Sequence, residues 1–492
     1  MPSPTPNRSS STIPARFPAR VHFVGICGRA MGAVAMELAR LGIRITGSDQ
    51  HVFPPMGGLL EHAGISYHTE FSAAHLTPTP DHVVIGSYFS PANIEVATVL
   101  ERRLPWSTLA GFVERYFLQT TQNLVVAGTN GKTTTTAMLT WILKAARMNP
   151  SYLVAGESPN LGKMFHSSQR RSGPFVLEGD EYLSGLGDLN PKFLHYRPHR
   201  VLVTNLHWDH VEVFPAERSY RAGFEALVDL LPPSGGLVLN ADDPGALALA
   251  DRHQLAGTET VGFCRHAQHR ITGWRQGREL QTFRFMGETF SLPAFGKIYA
   301  INAALAVTLA RQEGVPLHQA AQALTSWQPV KGRQEILVNS SHLTVLKEEA
   351  YHPHALAGAV EAARARFPRR RLVLLLQPRY TGGAEGPHQT ALPGALSGVD
   401  LALVTDPLEI APVSRAFSSR ALCSAIRRSG IEAHHVAKVA DLIKKFQSLH
   451  QQGDVVMVSL AYRNEAIFDR IQEITFSKGN TSPPQQSPSL LQ

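Results

Sequence analysis

The sequence lacks any apolar run approaching the ~18 residues that a membrane-crossing helix needs; the longest, Leu372 to Leu376, has the length of a strand. A soluble chain with no membrane partner is therefore expected. Cysteine is scarce: Cys27, Cys264 and Cys423 are odd in number, far apart and without zinc spacing, which excludes a disulfide framework and fits a reducing cytoplasm. The first twenty residues are rich in Pro, Ser and Arg but have no apolar h-region, so they read as a solvated arm and not as an export signal. Charge is modest. The 47 Lys+Arg against 39 Asp+Glu give a net charge of +8 over 492 residues, and no nucleic-acid recognition motif accompanies the excess, so anionic small-molecule substrates account for it as well. What is present is enough apolar residue, 43%, to bury a sizeable core, and wholesale disorder is excluded.

The repeated pattern is a short β-branched apolar run, a Gly-rich turn and a helix-like stretch. It recurs at Val21 to Ile26, Leu124 to Ala127, Phe175 to Leu177, Val201 to Val203 and Leu372 to Leu376. Strands alternating with helices imply parallel sheets covered on both faces, hence an α/β protein. Three blocks are expected, at 20–122, 123–330 and 331–477, between a disordered arm, 1–19, and a Pro-, Ser- and Gln-rich disordered tail, 478–492.

The most informative segment is Leu124-Val-Val-Ala-Gly128-Thr129-Asn130-Gly131-Lys132-Thr133-Thr134, an apolar strand running into a Gly-rich turn and then a helix with Met138, Leu139, Ile142 and Leu143 on its apolar positions. Such a turn aims backbone N–H groups and a helix N-terminus at one point, where an anion is held. Lys132 would reach the β and γ phosphates of a nucleotide and Thr133 would bind Mg²⁺. The usual P-loop pattern has a Gly where this chain has Val126, so the loop is a shorter variant.

Two further strand ends carry polar groups: Phe175-Val-Leu-Glu178-Gly-Asp180-Glu181-Tyr, and Val201-Leu-Val-Thr-Asn205-Leu-His-Trp-Asp209-His210. Ligands of parallel sheets collect at carboxyl strand ends, which makes Glu178 and His210 candidate metal ligands beside the phosphates. The first block opens with Gly25, Cys27, Gly28, Met31 and Gly32 in and after a turn, and a second strand ends at Ser48 and Asp49. Its glycines depart from the dinucleotide fingerprint; a diphosphate at the helix N-terminus and a purely structural turn both remain open.

These residues resemble the Mur ligases, which join an amino acid or peptide to UDP-N-acetylmuramate at the expense of ATP; Gly-Thr-Asn-Gly-Lys-Thr-Thr is that family's phosphate loop as it stands here, and the resemblance runs from Arg20 to about Thr475. It implies a Rossmann-like N-terminal domain that binds UDP-muramate through Gly25, Cys27, Gly28, Met31, Gly32, Ser48 and Asp49. It implies a P-loop ATPase-like central domain that binds ATP through Gly128 to Thr134, Asn302 and Arg333, and a Rossmann-like C-terminal domain for the acceptor. Two Mg²⁺ ions on Thr133, Glu178 and His210 are implied, with Lys132, Glu178, His210, Arg333, Glu348 and His352 as catalytic residues; Arg333 would approach the γ-phosphate when the third domain closes. Gly47-Ser-Asp-Gln-His-Val-Phe-Pro-Pro-Met56, Glu178-Gly-Asp-Glu-Tyr182 and Lys192-Phe-Leu-His-Tyr-Arg-Pro198 point to the branch that attaches the tripeptide L-alanyl-γ-D-glutamyl-meso-diaminopimelate in cell-wall recycling. Gln377-Pro-Arg-Tyr-Thr381 leans towards the branch that attaches L-alanine.

The chain departs from the family in two places. Lys347-Glu348-Glu349-Ala350-Tyr351-His352-Pro353 stands where Asp-Asp-Tyr/Phe-Ala-His-x-Pro is usual, and Gly296-Lys-Ile298-Tyr299-Ala-Ile-Asn302 replaces a Gly-x-His-Asn-x-x-Asn motif, leaving Asn302 and offering Tyr299 as a ring to stack on the base. Two other readings stay open: an L-alanine ligase, and a catalytically impaired protein that holds the same nucleotide-linked ligands.

Overall fold

The computed structural model describes residues 16–471 except 53, 169–172, 212, 253–256, 379–386, 408–417, 461–466 and 469. Most of the expected arm, all of the expected tail and the end of the Gln377 to Thr381 segment lie outside the described residues. The chain divides into two compact units, 1–331 and 332–492.

The first unit holds two main sheets, the first wholly parallel and the second parallel except for its edge strand Phe165–His166, which runs antiparallel to Ser151–Leu153, as expected for α/β architecture. Four parallel strands form the first, in the order Arg44–Ser48, Arg20–Val24, His82–Ile85, Trp106–Thr108. The second has eight, with Gln122–Ala127 between Arg200–Val203 and Pro174–Glu178. Strands at the centre of such a sheet are covered on both faces, which is why they read as unbroken apolar runs: Leu124 to Ala127 and Val201 to Val203 are wholly buried. Parallel register aligns Val126 with Glu178 and Ala127 with Val203, so three carboxyl strand ends lie side by side. The helix Lys132–Ala145 buries Met138, Leu139, Ile142 and Leu143 against this sheet, together with the helix Lys297–Gln312. An antiparallel meander of three strands, Thr272–Gln276, Gln281–Phe285 and Glu288–Leu292, and a short antiparallel hairpin, Leu183–Gly185 with Asp188–Pro191, complete the unit.

The second unit is built on a six-stranded sheet ordered Glu335–Asn339, Leu343–Lys347, Asp454–Ser459, Leu372–Leu376, Leu401–Thr405, Glu432–Val436; its first pair is antiparallel and the rest parallel. Among the described residues no helix is long and apolar enough to cross a membrane.

Asn123, on the central strand Gln122–Ala127, ties the end of the helix Leu109–Phe117 to the turn at Tyr196 and Arg197. Its buried side-chain amide donates to the carbonyls of Leu118, Tyr196 and Arg197 at 3.2, 2.9 and 3.1 Å, and its Oδ1 accepts from the Thr121 hydroxyl at 2.6 Å. Asn123→Ala takes the amide donor from three backbone carbonyls, those of Leu118 and Tyr196 buried, so a loss of about 2–4 kcal/mol is expected, read as a lower urea midpoint with an unchanged slope.

Candidate active site

The strand Gln122–Ala127 ends at Gly128, and the helix Lys132–Ala145 begins just after Gly131. Both glycines are forced. Gly128 has φ +133, and a Cβ there would lie 2.2 Å from the Thr204 hydroxyl; Gly131 has φ +83 and is backed by the Asn302 amide. The adjacent strand end fixes the loop between them. Thr129 N–H donates to the Asn205 carbonyl at 3.0 Å and Asn130 N–H to Asn205 Oδ1 at 2.9 Å. Thr204 Oγ1 and Asn205 Nδ2 both donate to the Asn130 carbonyl, at 2.6 and 2.9 Å. Thr129 Oγ1 donates to the His207 carbonyl at 2.7 Å and accepts from His207 N–H at 2.8 Å. The protein alone therefore shapes the loop, and the first turn of the helix presents N–H groups that lack intrahelical acceptors, which suits an anion. Two buried amide atoms beside it, Asn130 Nδ2 and Asn302 Oδ1, have no hydrogen-bond partner among the described residues, bonding capacity that a ligand or water there would take up.

Lys132 folds back on this loop. Its ammonium donates to the carbonyls of Gly128 and Thr129 at 2.7 and 3.1 Å and lies 2.8 Å from Glu181. Burial pulls its pKa down, but the Glu181 charge outweighs that and holds it above the ordinary lysine value. Glu181 also reaches His210, with Nε2 3.3 Å from Oε1, and the His210 ring packs on Tyr182 at 4.1 Å. Beside them Thr133 Oγ1 donates to Glu178 Oε1 at 2.7 Å, and Glu178 Oε2 accepts from Ala155 N–H at 2.7 Å. Burial raises the Glu178 pKa against these bonds. Asp180 is driven the other way: burial works to raise it, yet the Lys192 ammonium 2.7 Å away brings it to about 2.

The candidates Lys132, Thr133, Glu178 and His210 thus come together, with Glu181 and Asn205 as residues to which no role was given from sequence. Their signal was position: Glu181 follows the Glu178 strand end within one turn, and Asn205 ends the strand Arg200–Val203 that runs beside the phosphate loop. Among the described residues, four carboxylates, Glu178, Asp180, Glu181 and Asp209, gather here with the ammonium groups of Lys132 and Lys192 and the His210 ring. The paired hydroxyl and carboxylate oxygens of Thr133 and Glu178, with that surplus of negative charge, fit a hard divalent cation such as Mg²⁺. His210 is placed on Glu181, and among the described residues no cluster of three or more His, Cys, Asp or Glu side chains is disposed around a metal position.

In the first sheet, Gly25 N–H donates to the Ser48 carbonyl at 2.7 Å, and the helix Arg29–Arg40 starts after Gly28. Gly25 has φ +88 and is covered by the Phe89 ring, while a Cβ on Gly32 would strike Met56. Asp49 accepts from the N–H groups of Cys27 and His51 at 2.9 and 3.0 Å, and the Ser48 hydroxyl donates to buried Glu95. Both side chains are therefore engaged in holding the turn, and Met31 is buried in the core. Burial, with Asp49 adding to it, pushes the Cys27 thiol up to about 12, as befits a packed residue and not a nucleophile. Tyr299, offered as a stacking ring, is buried and packs on Trp327, so its ring belongs to the core.

In the second unit, Arg333 donates to the Glu349 carbonyl and lies 3.6 Å from its carboxylate. His352 caps the helix Pro353–Arg366, its Nδ1 accepting from His354 N–H at 3.2 Å. Glu348 is buried.

Three family profiles match the chain: the Mur ligase family catalytic domain at 20–119, the Mur ligase middle domain at 126–310 and the Mur ligase glutamate ligase domain at 332–459. A UDP-N-acetylmuramate–L-alanyl-γ-D-glutamyl-meso-2,6-diaminoheptandioate ligase of Escherichia coli is 31% identical over 443 residues, covering 89% of this chain and 94% of that one. The chain belongs to the Mur ligase family. With that family it is an ATP-dependent amide ligase of three-domain architecture. A UDP-N-acetylmuramate–L-alanine ligase of Roseiflexus is 30% identical over 482 residues, covering 92% and 99% of the two chains. The crystal structure of a murein peptide ligase from Psychrobacter arcticus superposes with a TM-score of 0.68 at 25% identity, covering 94% of this chain and all of that one.

Burial raises Glu348 from its ordinary 4.5 to about 7, against the opposing pull of Arg333. The folded state then binds a proton that the unfolded chain has released, so the stabilisation is complete below pH ~4.5 and is lost as pH rises through about 7. Glu348→Gln is expected to match the wild type at pH 5 and to exceed it by up to about 3 kcal/mol at pH 8, measured by calorimetry of the whole chain at both values.

Proposed function

We propose that this ligase joins UDP-N-acetylmuramate to a peptide, L-alanyl-γ-D-glutamyl-meso-diaminopimelate, through an acyl phosphate, in the cytoplasm and in the service of cell-wall recycling. The observation that carries it is the convergence of Lys132, Thr133, Glu178, Glu181 and His210 at adjacent strand ends of the same compact unit that carries the Gly25 to Gly28 turn. In this reading the muramyl carboxylate attacks the γ-phosphorus of ATP and ADP leaves; the acceptor amine then attacks the acyl carbon and phosphate leaves. Two anions must meet, so the protein's work is positioning and charge neutralisation. The loop N–H groups hold the phosphates. Lys132 exchanges its loop carbonyls for phosphate oxygens, while Glu181 keeps the ammonium charged and His210 oriented. Thr133 and Glu178 would hold Mg²⁺, which when bound supplies positive charge to the phosphates and to the reacting carboxyl group. Asn302 is assigned to the nucleotide, and Arg333, Glu348 and His352 are assigned roles on the family resemblance.

The relatives support the peptide acceptor through the E. coli ligase, and L-alanine through the Roseiflexus one. The Lys192 to Pro198 segment favours the peptide, and L-alanine is the second reading.

Phosphate release with purified chain, ATP, Mg²⁺ and UDP-N-acetylmuramate decides between them: turnover is expected with the tripeptide, and turnover with free L-alanine alone would select the second reading. Absence of turnover with either, alongside intact ligand binding, would favour the impaired binding protein. Lys132→Ala should lower turnover by roughly a thousandfold or more while leaving UDP-N-acetylmuramate affinity largely intact by calorimetric titration; equal loss of both contradicts the division of labour between the two sheets.

A further inference from the structure

Between the N-terminal turn and the phosphate loop stands an aromatic side chain to which the reaction above gives no task. Tyr88 is 83% exposed, the most exposed large hydrophobic side chain among the described residues. Its neighbours are pinned. Phe89 N–H donates to the Gly86 carbonyl at 3.2 Å and its ring closes over Gly25, while Ser87 Cα is 2.8 Å from where a Cβ would stand on Gly185 in the central domain. The Tyr88 ring meets Tyr182 edge-on, with centroids 6.3 Å apart, and Tyr182 lies 4.1 Å from the His210 ring and 5.8 Å from the Lys192 ammonium. An aromatic side chain is thus held in solvent on the loop that closes over the first turn, against the Tyr182 ring, which itself meets the His210 ring and the Lys192 ammonium. The two lysines of the site differ in what they have left to give. An ammonium has three donors. Lys132 spends its donors on two carbonyls and Glu181, whereas Lys192 makes a single side-chain hydrogen bond among the described residues, to Asp180 at 2.7 Å.

We propose that Tyr88 and Lys192 form the seat of the sugar acid, Tyr88 laying its ring against the apolar face of the hexose and Lys192 donating to the carboxylate. This deepens, and rests on, the reading of the chain as a muramyl ligase. A nucleotide-linked hexose held by its diphosphate at the Gly25 to Gly28 turn passes Tyr88 first and brings its acid end towards Lys192, Tyr182 and His210. Aromatic stacking selects a saturated ring that presents C–H groups, and the charge-assisted bond selects the acid over the neutral sugar. Tyr88 determines affinity for the sugar; Lys192 positions the carboxylate.

Calorimetric titration of the whole chain with UDP-N-acetylmuramate, UDP-N-acetylglucosamine and UDP tests this. Tyr88→Ala should weaken UDP-N-acetylmuramate about tenfold while UDP stays within about twofold, and Tyr88→Phe should recover affinity to within about threefold. The paired change Lys192→Met with Asp180→Asn, which leaves no buried charge alone, should cut the preference for the muramate over the glucosamine nucleotide roughly tenfold, and Lys192→Arg should retain that preference. If the paired variant does not fold, the exposed Tyr88 series decides. Equal weakening of UDP and UDP-N-acetylmuramate by Tyr88→Ala, or a preference that survives the paired change, overturns the seat while the ligase reading stands. A wild-type chain that does not bind UDP-N-acetylmuramate overturns both.

Discussion

Parallel register between three neighbouring strands is the constraint on which the site depends. Val126 aligns with Glu178 and Ala127 with Val203, so the phosphate loop, the acidic strap that begins at Glu178 and the Thr204–Asn205 clamp leave the sheet at one level. A slip of one residue in either pairing would turn buried side chains to the opposite face and move Glu178 or Asn205 away from the loop. The register is strongly specified because these strands are buried on both faces. The apolar core is thus what places the polar groups, and the loop inherits its shape from Thr204 and Asn205 before any ligand arrives.

The electrostatics follow from that placement. Four carboxylates brought together at buried strand ends would repel one another strongly if unpaired. Lys192 pairs with Asp180 and Lys132 with Glu181, while Glu178 draws on a hydroxyl and a backbone N–H. The residual negative charge is an intrinsic demand for a cation, and it falls beside the helix N-terminus where phosphate would lie. Anion-binding amides and cation-binding oxygens side by side suit a metal-bound triphosphate better than either ion alone.

The strands, the Gly-rich turn and the Glu178 carboxylate beside it were legible in the sequence because each is a local pattern: an unbroken apolar run, two glycines around a turn, a polar residue at a strand end. Glu181 and Asn205 were present in the quoted segments, but their work depends on neighbours about 50 to 75 positions away, which no local pattern reports. Tyr299 shows the opposite failure. A tyrosine at a motif position reads as a ligand contact, yet its size favoured the core, where Trp327 was waiting. Ser48 and Asp49 stand among the residues that the resemblance assigns to UDP-muramate, and only the fold reveals that backbone amides bond the Asp49 carboxylate and that the Ser48 hydroxyl bonds Glu95.

The two sheets of the first unit are held together by more than packing. Glu37, on the helix Arg29–Arg40, accepts from Ser167 N–H at 2.7 Å across the domain boundary. Burial would raise its pKa, but Arg40 and His166 bring it to about 2, so the clamp stays charged at every physiological pH. His195 bridges Glu114 of the helix Leu109–Phe117 to Asp188 of the central domain, at 3.0 and 2.6 Å. Burial lowers the His195 pKa, and the two carboxylates more than reverse it, which favours the charged form that serves both contacts. Because Asp188 belongs to the same short hairpin as Gly185, which touches Ser87, these clamps also fix the Tyr88 loop relative to the phosphate loop. In the proposed reaction, the distance between the sugar acid's anchor and the triphosphate would then be set by the folded unit itself and would not have to be assembled on binding, which is the form of preorganisation that a reaction between two anions most needs.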